Sequence, residues 1–158
     1  LSAASGKIKL LIELKYYGED PLLAGETVKM VRQAHAEKEV AFMSLNLEAV
    51  RQIKRLVPQV SAGYLLAAGL GDIARSHVDF LAVPVEQATA GRMKTAGKNS
   101  MKVYAWTVND MDGILDLMEV GIDGVITDDP AMARKAIDDI RKLSGLERLL
   151  FKFRHVWD

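Results

Sequence analysis

A carboxylate and an ammonium group stand two residues apart in the sequence, as Glu13 and Lys15. They lie at the end of an apolar run that begins at Leu10 and is typical of a buried strand. In an extended chain, residues two apart point to the same face, so these side chains are predicted to lie side by side. Together they could hold a divalent cation and a phosphate oxygen. An ordinary salt bridge at a strand end is the simpler interpretation of the same spacing.

Three further residues at predicted strand ends, Trp106, Asp128 and Asp129, could contribute to a functional site. Trp106 lies in an otherwise apolar run, where a tryptophan is either part of the core or an aromatic wall for a ligand. Asp128 and Asp129 precede Pro130, which is typical of a helix start. A metal-binding role for Asp128 is the alternative to that structural role.

The remaining nucleophiles and bases are poorly placed for catalysis. Ser44 has no neighbouring histidine or glycine-rich turn that would make it a nucleophile. None of the three histidines lies at the carboxyl end of a predicted strand: His35 falls in a predicted helix, His77 just before a strand, and His155 in the carboxyl-terminal tail. The sequence contains no cysteine. The chain by itself therefore has few of the groups that a hydrolase needs.

The elements that must position these residues alternate between short apolar strands and longer helical patterns. Predicted strands cover residues 7–15, 40–45, 60–66, 80–85, 102–108 and 124–127, and predicted helices cover residues 22–38, 47–56, 86–96, 110–120 and 130–143. A helix after each strand predicts a parallel sheet, and therefore an α/β fold of about six βα units. A (β/α)₈ barrel has eight units and typically ~250 residues, whereas a doubly wound sheet needs about five or six units. Periodicity does not choose between them.

The net charge, the lengths of the apolar runs and the first residue limit what the chain can be. The chain has 158 residues, with 21 basic and 21 acidic side chains and a formal net charge of zero. This balance gives no electrostatic basis for binding nucleic acid. No apolar run approaches the ~20 residues needed to cross a bilayer. The first residue is Leu1 rather than Met, so we expect a piece of a longer protein or a processed one.

The last residues form a separate predicted unit. We divide the chain into residues 1–144, which hold the βα units, and residues 145–158, an amphipathic helical tail. Its apolar stripe includes Leu150 and Phe153, and its basic residues include Lys152 and Arg154. Packing on the barrel or on a second copy is the favoured role of this tail, and contact with a membrane surface is the alternative.

Four sequence segments, in order and at fitting distances, resemble the carboxyl-terminal part of the glycerophosphodiester phosphodiesterase family. They are LLIELK at 10–15, FMSLNLEAV at 42–50, VYAWTVND at 103–110 and VGIDGVITDDP at 120–130. The last two are the most specific. The resemblance implies an incomplete (β/α)₈ TIM barrel and hydrolysis of glycerophosphodiesters to an alcohol and glycerol 3-phosphate, with Ca²⁺ or Mg²⁺ as cofactor.

The resemblance also implies roles for three residues. Glu13 would be a metal ligand, Lys15 would contact the substrate phosphate, and Trp106 would line the glycerol side of the pocket. Ser44 and Asn109 would shape the mouth of the site. The metal and Lys15 would both stabilise negative charge on the phosphate.

The chain also departs from the family. The family's amino-terminal part has a His-Arg-Gly motif, a Glu-x-Asp pair of metal ligands and a His-Asp motif, and this sequence contains no counterpart of them. We therefore expect the isolated chain to be inactive and to bind metal weakly. The alternative is a non-catalytic module that self-associates as a homo-oligomer or binds a partner. Membrane association of the parent protein is compatible with either interpretation.

Overall fold

The computed structural model describes residues 1–67, 77–147 and 150, and its centre is one parallel sheet. The strands are β1 (Leu10–Glu13), β2 (Val40–Ser44), β3 (Ser61–Leu65), β4 (Phe80–Pro84), β5 (Lys102–Trp106) and β6 (Gly124–Val125). They follow one another in space in the order β1-β2-β3-β4-β5-β6. A doubly wound sheet reverses direction at a switch point, whereas a barrel adds each strand on the same side. The order therefore confirms an incomplete α/β barrel with parallel strands.

Helices cover one face of this sheet. They are α1 (Leu23–Gln33), α2 (Leu47–Leu56), α3 (Ala90–Lys98), α4 (Met111–Glu119) and α5 (Pro130–Lys142). Their apolar stripes pack against the strands to form the main core, in which Ile53, Ile114 and Ile140 are almost fully buried. Burial of each such side chain contributes about 1.5–3 kcal/mol of transfer free energy.

Side-chain caps fix where α2, α4 and α5 begin, and a fourth cap, at Thr89, begins α3. Asn46 Oδ1 accepts hydrogen bonds from the amides of Glu48 (3.0 Å) and Ala49 (3.2 Å) at the start of α2. Asp110 caps α4, and Asp129 caps α5 immediately before its first-turn proline. The cap at Asp129 confirms the helix start predicted at Pro130. The caps at Asn46, Asp110 and Asp129 lie in the loops that follow β2, β5 and β6, and they therefore fix the backbone on the carboxyl-terminal side of the sheet.

Two predicted helices have different bounds in the structure. The helix predicted over residues 86–96 is preceded by a 3₁₀ turn, Val85–Gln87, and α3 begins only after Thr89, whose hydroxyl accepts from the Arg92 amide. It ends at Lys98, two residues later than predicted, with Asn99 as its C-cap. His35, predicted within a helix, lies beyond the end of α1 with a positive φ of 53°, because α1 stops at Gln33.

The inner face of the sheet carries a second, smaller apolar cluster. Met43, Leu65, Phe80 and Ala82 are buried there, with Trp106 packed beside them. Phe80, the first residue of β4, lies over a glycine of β3, so its ring fills the amino-terminal half of the concave face. The carboxyl-terminal half is left open.

Parts of the predicted tail and of one connection lie outside the described residues. These are residues 68–76, between β3 and β4, and residues 148–149 and 151–158 of the tail. Within the described part of the tail, Leu146 and Leu150 are exposed. None of the described helices is both long enough and apolar enough to cross a membrane.

Candidate active site

A cavity of about 320 Å³ opens at the carboxyl ends of the strands on the inner face of the sheet. The ends of β1, β2, β3, β5 and β6 all contribute to its wall. The lining residues are Glu13, Lys15, Met43, Leu45, Leu65, Ala67, Trp106, Thr107 and Ile126. The fold therefore brings together the three residues singled out from the sequence, Glu13, Lys15 and Trp106, although Trp106 lies more than ninety positions from the other two in the chain.

Glu13 and Lys15 form a partly exposed ion pair at the edge of this cavity. Lys15 Nζ lies 3.6 Å from Glu13 Oε2, and their side chains are 59% and 23% exposed, respectively. A pair this long and this exposed contributes at most about 1 kcal/mol to stability. The predicted salt bridge is present, and both groups also line the cavity.

The residue between them holds the pair in place. Leu14 is buried in the main core, and its amide donates to the Met43 carbonyl at 2.8 Å. The Ser44 hydroxyl donates to the Leu14 carbonyl at 2.7 Å and accepts from the Asn46 amide at 3.0 Å. Ser44 is completely buried. Its hydroxyl therefore shapes the end of β1 rather than acting as a nucleophile.

Trp106 forms part of both the core and the cavity wall. It is the last residue of β5, is partly buried, and packs against the inner-face cluster of Met43, Leu65 and Phe80. Its Nε1 atom is buried and has no hydrogen-bond partner among the described residues. The side chain therefore packs in the inner-face cluster and also lines the cavity.

Asn109 and Asp128 form part of a hydrogen-bonded cluster beside the cavity. Asn109 Nδ2 donates to Asp128 Oδ2 at 2.8 Å, and Asn109 Oδ1 accepts from the Asp128 amide at 3.0 Å and the Thr127 hydroxyl at 3.1 Å. The next residue, Asp129, caps α5. Asp128 does not line the cavity, so the metal-binding interpretation of this residue has no geometric support.

Histidines are absent from the cavity lining formed by the described residues. His35 lines a different depression, with Lys9 and Ser61, at the amino-terminal ends of the strands. His77 lies just before β4, at the same end of the sheet. Neither can transfer a proton at the carboxyl-terminal mouth.

The described residues do not make a complete metal site. Nowhere in residues 1–67, 77–147 and 150 do three or more histidine, cysteine or acidic side chains cluster so that they could hold a metal ion. Glu13 supplies the single carboxylate of the cavity lining. Ca²⁺ takes about six to eight oxygen ligands, and Mg²⁺ about six including water. Glu13 can therefore supply only part of an oxygen shell.

Sequence reasoning missed the apolar lining of the cavity. Met43, Leu45 and Leu65 share the inner face with Glu13, and Ile126 follows β6. The alternation of side chains along β2 and β3 could have identified these residues, because residues two apart in a strand lie on the same face of the sheet. Their register relative to β1 could not be read from the sequence.

A curled parallel sheet with sequential strands, and a mainly apolar cavity with one carboxylate and one ammonium group at its carboxyl-terminal edge, define the class of α/β-barrel proteins. The family model described as "Glycerophosphoryl diester phosphodiesterase family" matches residues 4–132. The chain belongs to this family. The family hydrolyses glycerophosphodiesters and is generally metal-dependent.

The chain is also similar to individual proteins in sequence and in fold. A glycerophosphodiester phosphodiesterase of Caldanaerobacter subterraneus subsp. tengcongensis is 25% identical over 114 residues, which cover 70% of this chain and 47% of that protein. A glycerophosphodiester phosphodiesterase from Parabacteroides distasonis superposes with a TM-score of 0.79 at 22% identity, covering 89% of this chain and 62% of that one.

A phosphodiesterase from Oleispira antarctica, solved in complex with the product sn-glycerol-3-phosphate, superposes with a TM-score of 0.72 at 25% identity. The match covers 82% of this chain and 55% of that one. The sequence matches cover 47% of the Caldanaerobacter protein and 54% of a putative glycerophosphodiester phosphodiesterase of Bacillus subtilis. The chain therefore spans about half the length of these two curated relatives.

Proposed function

We propose that this chain is the carboxyl-terminal part of the catalytic barrel of a metal-dependent glycerophosphodiester phosphodiesterase. The parent enzyme would hydrolyse its substrate to an alcohol and glycerol 3-phosphate. The observation that carries the proposal is the cavity in which Glu13, Lys15 and Trp106 meet at the carboxyl-terminal edge of the sheet.

Each of the three residues has a distinct role in this proposal. Lys15 binds a phosphate oxygen, because its exposed ammonium faces the cavity and would stabilise negative charge that develops on the phosphoryl group. Trp106 supplies a flat apolar wall for the carbon chain of glycerol. Leu65 and Ile126 extend this wall on either side.

Glu13 is proposed as one ligand of a divalent cation, Ca²⁺ or Mg²⁺. A carboxylate oxygen is a suitable ligand for either ion. Such a metal, when bound, would neutralise charge on the phosphate. Because the described residues give only one carboxylate at the cavity, we expect the isolated chain to bind the metal weakly.

The isolated chain is also expected to be inactive as a diesterase. Hydrolysis needs proton transfer to the leaving alcohol and from the attacking group, and His35 and His77 lie at the opposite end of the strands. General acid–base catalysis is worth about 10²–10⁴-fold in rate.

The test is diesterase activity on glycerophosphocholine with Ca²⁺ or Mg²⁺, for this chain and the full-length parent side by side. Binding of glycerol 3-phosphate to the chain is measured alongside. Activity in the parent and product binding by the chain would support the proposal. An inactive parent would refute the substrate assignment. Activity in the short chain would show that residues within this chain are sufficient for the proton transfers of hydrolysis.

A second candidate function is a non-catalytic module that self-associates. One observation favours it: in the described part of the chain, β1 and β6 are the edges of the sheet, and Ile8 and Leu11 are 64% and 41% exposed at one of them. Exposed strand edges promote pairing with another chain.

Sedimentation velocity distinguishes the two candidates. The self-association candidate predicts a dimer that Leu11→Lys converts to a monomer, whereas Met30→Lys on the exposed face of α1 leaves it intact. A chain that stays monomeric at high concentration would eliminate this candidate.

A further inference from the structure

We propose that Asn109 is a positioning residue that sets the Trp106 wall of the cavity by joining the loops that follow β5 and β6. Asn109 does not line the cavity itself. It would act through Trp106, Thr107 and Ile126, which do. The inference rests on the proposed function in so far as this wall receives the glycerol group.

The backbone pairing of β6 is too short to fix this wall alone. β6 contains two residues, and its register with β5 consists of Tyr104 opposite Gly124 and Ala105 opposite Val125. Three further backbone hydrogen bonds prolong the contact. The Asp123 amide donates to the Val103 carbonyl at 3.0 Å before β6, and beyond it the Ile126 amide donates to the Ala105 carbonyl at 2.8 Å and the Val108 amide to the Ile126 carbonyl at 3.0 Å. In the described part of the chain, β6 also has no strand on its other side.

The Asn109 side chain adds three hydrogen bonds just beyond the end of this ladder. Its carbonyl oxygen accepts from the Thr127 hydroxyl and the Asp128 amide, while its NH₂ group donates to the Asp128 carboxylate. An amide offers both an acceptor and a donor, and the site uses both. Hydrogen bonds to a charged group are the stronger kind, so the contact with Asp128 is expected to matter most.

These bonds lie directly beside the wall. Asn109 comes two residues after Thr107, and Thr127 follows Ile126. Ile126 packs in the same inner-face cluster as Trp106. Holding Asn109 to Thr127 and Asp128 therefore holds Ile126 against Trp106.

The test uses the fluorescence of Trp106. The sequence has two tryptophans, so a Trp157→Phe background leaves Trp106 as the single reporter. In this background, Asn109→Asp should shift the emission maximum and weaken glycerol 3-phosphate binding about tenfold, because two adjacent carboxylates repel each other. The double variant Asn109→Asp/Asp128→Asn should restore both values, because it exchanges the acid and the amide.

A control at the neighbouring carboxylate separates this role from a general effect of changing the charge of the loop. Asp129→Asn removes the neighbouring carboxylate, but asparagine caps a helix as well as aspartate does. Its emission maximum and its binding should equal those of the background protein.

Each outcome has a defined meaning. Unchanged emission in Asn109→Asp, or no recovery in the double variant, overturns the positioning role, even if the melting temperature falls. An emission shift that the double variant reverses, in a chain that does not bind glycerol 3-phosphate, supports the positioning role and counts against the proposed function. Asn109→Ala gives a further test in which no repulsion is introduced and the emission shift is still expected.

Discussion

The Ser44 hydroxyl donates a hydrogen bond to the Leu14 carbonyl at 2.7 Å, between the ends of the first two strands. Leu14 is the residue between Glu13 and Lys15, so this bond fixes the backbone from which both candidate site residues project. Because Ser44 is completely buried, water cannot replace the bond.

Ser44→Ala is expected to destabilise the protein by about 1–3 kcal/mol, because it leaves the Leu14 carbonyl and the Asn46 amide without their partner. Urea denaturation measures the change in the free energy of unfolding. Ser61→Ala, on the exposed first residue of β3, is the control and should change it by less than about 0.5 kcal/mol. Equal effects at the two serines would contradict the assigned role.

Lys15→Met should weaken the binding of glycerol 3-phosphate to the chain at least about tenfold, since it removes the cation at the cavity while keeping an unbranched side chain. Lys9→Met is the matched control, because Lys9 precedes the same strand at its opposite end. Isothermal titration calorimetry gives both affinities. If the two variants bind equally well, Lys15 is not the phosphate-binding residue.

Glu13→Gln should lower the affinity for Ca²⁺ or Mg²⁺, because an amide oxygen carries no net charge and is a weaker ligand than a carboxylate. Glu26→Gln, on the exposed side of α1, changes the net charge equally and should leave metal affinity unaltered. NMR titration with each metal ion suits the weak binding that we expect. Chemical-shift changes that persist at the end of β1 in Glu13→Gln would count against this ligand.

Gly63→Ala is expected to destabilise the protein by about 1–3 kcal/mol through overpacking. A Cβ atom at this position would lie 2.1 Å from Phe80 Cε2, and the ring is held by the Tyr104 ring at a centroid distance of 5.1 Å. Thermal unfolding checks the effect. Gly25→Ala, in α1 with open space around the new atom, should instead stabilise by about 0.5–1 kcal/mol.

Glu48 provides a prediction about pH. The Arg55 guanidinium donates to Glu48 Oε1 at 2.6 Å and holds the pKa of that carboxyl below its usual range. The pair therefore stabilises the fold above the usual carboxyl pKa, and this contribution is lost as the pH falls through the lowered pKa. Arg55→Ala should raise the pKa of Glu48, as followed by NMR titration.

Arg51 offers the control for that titration. Its Nη1 atom lies 3.8 Å from Glu48 Oε2, beyond hydrogen-bond distance, so it lowers the pKa of Glu48 less than Arg55 does. Arg51→Ala should therefore raise the pKa of Glu48 less than Arg55→Ala does. The reverse order would contradict the assigned cause.

Local patterns in the sequence determined the elements and several of their ends. Short apolar runs predicted all six strands, and the aspartates before Pro130 predicted the start of α5, because a cap depends on residues only two or three positions away. Helix α3 began later than predicted, since the 3₁₀ turn before it has no strong local signature. Strand-helix alternation gave the parallel sheet, and the resemblance gave the barrel.

Glu13 and Lys15 could be paired from the sequence because extended backbone places residues two apart on one face. Only the tertiary structure decided that Trp106 faces the same cavity, that Ser44 turns its hydroxyl to Leu14, and that Asn109 joins two loops. These relationships depend on the order, register and curvature of the strands. Those properties arise from packing between residues far apart in the chain, which no local spacing records.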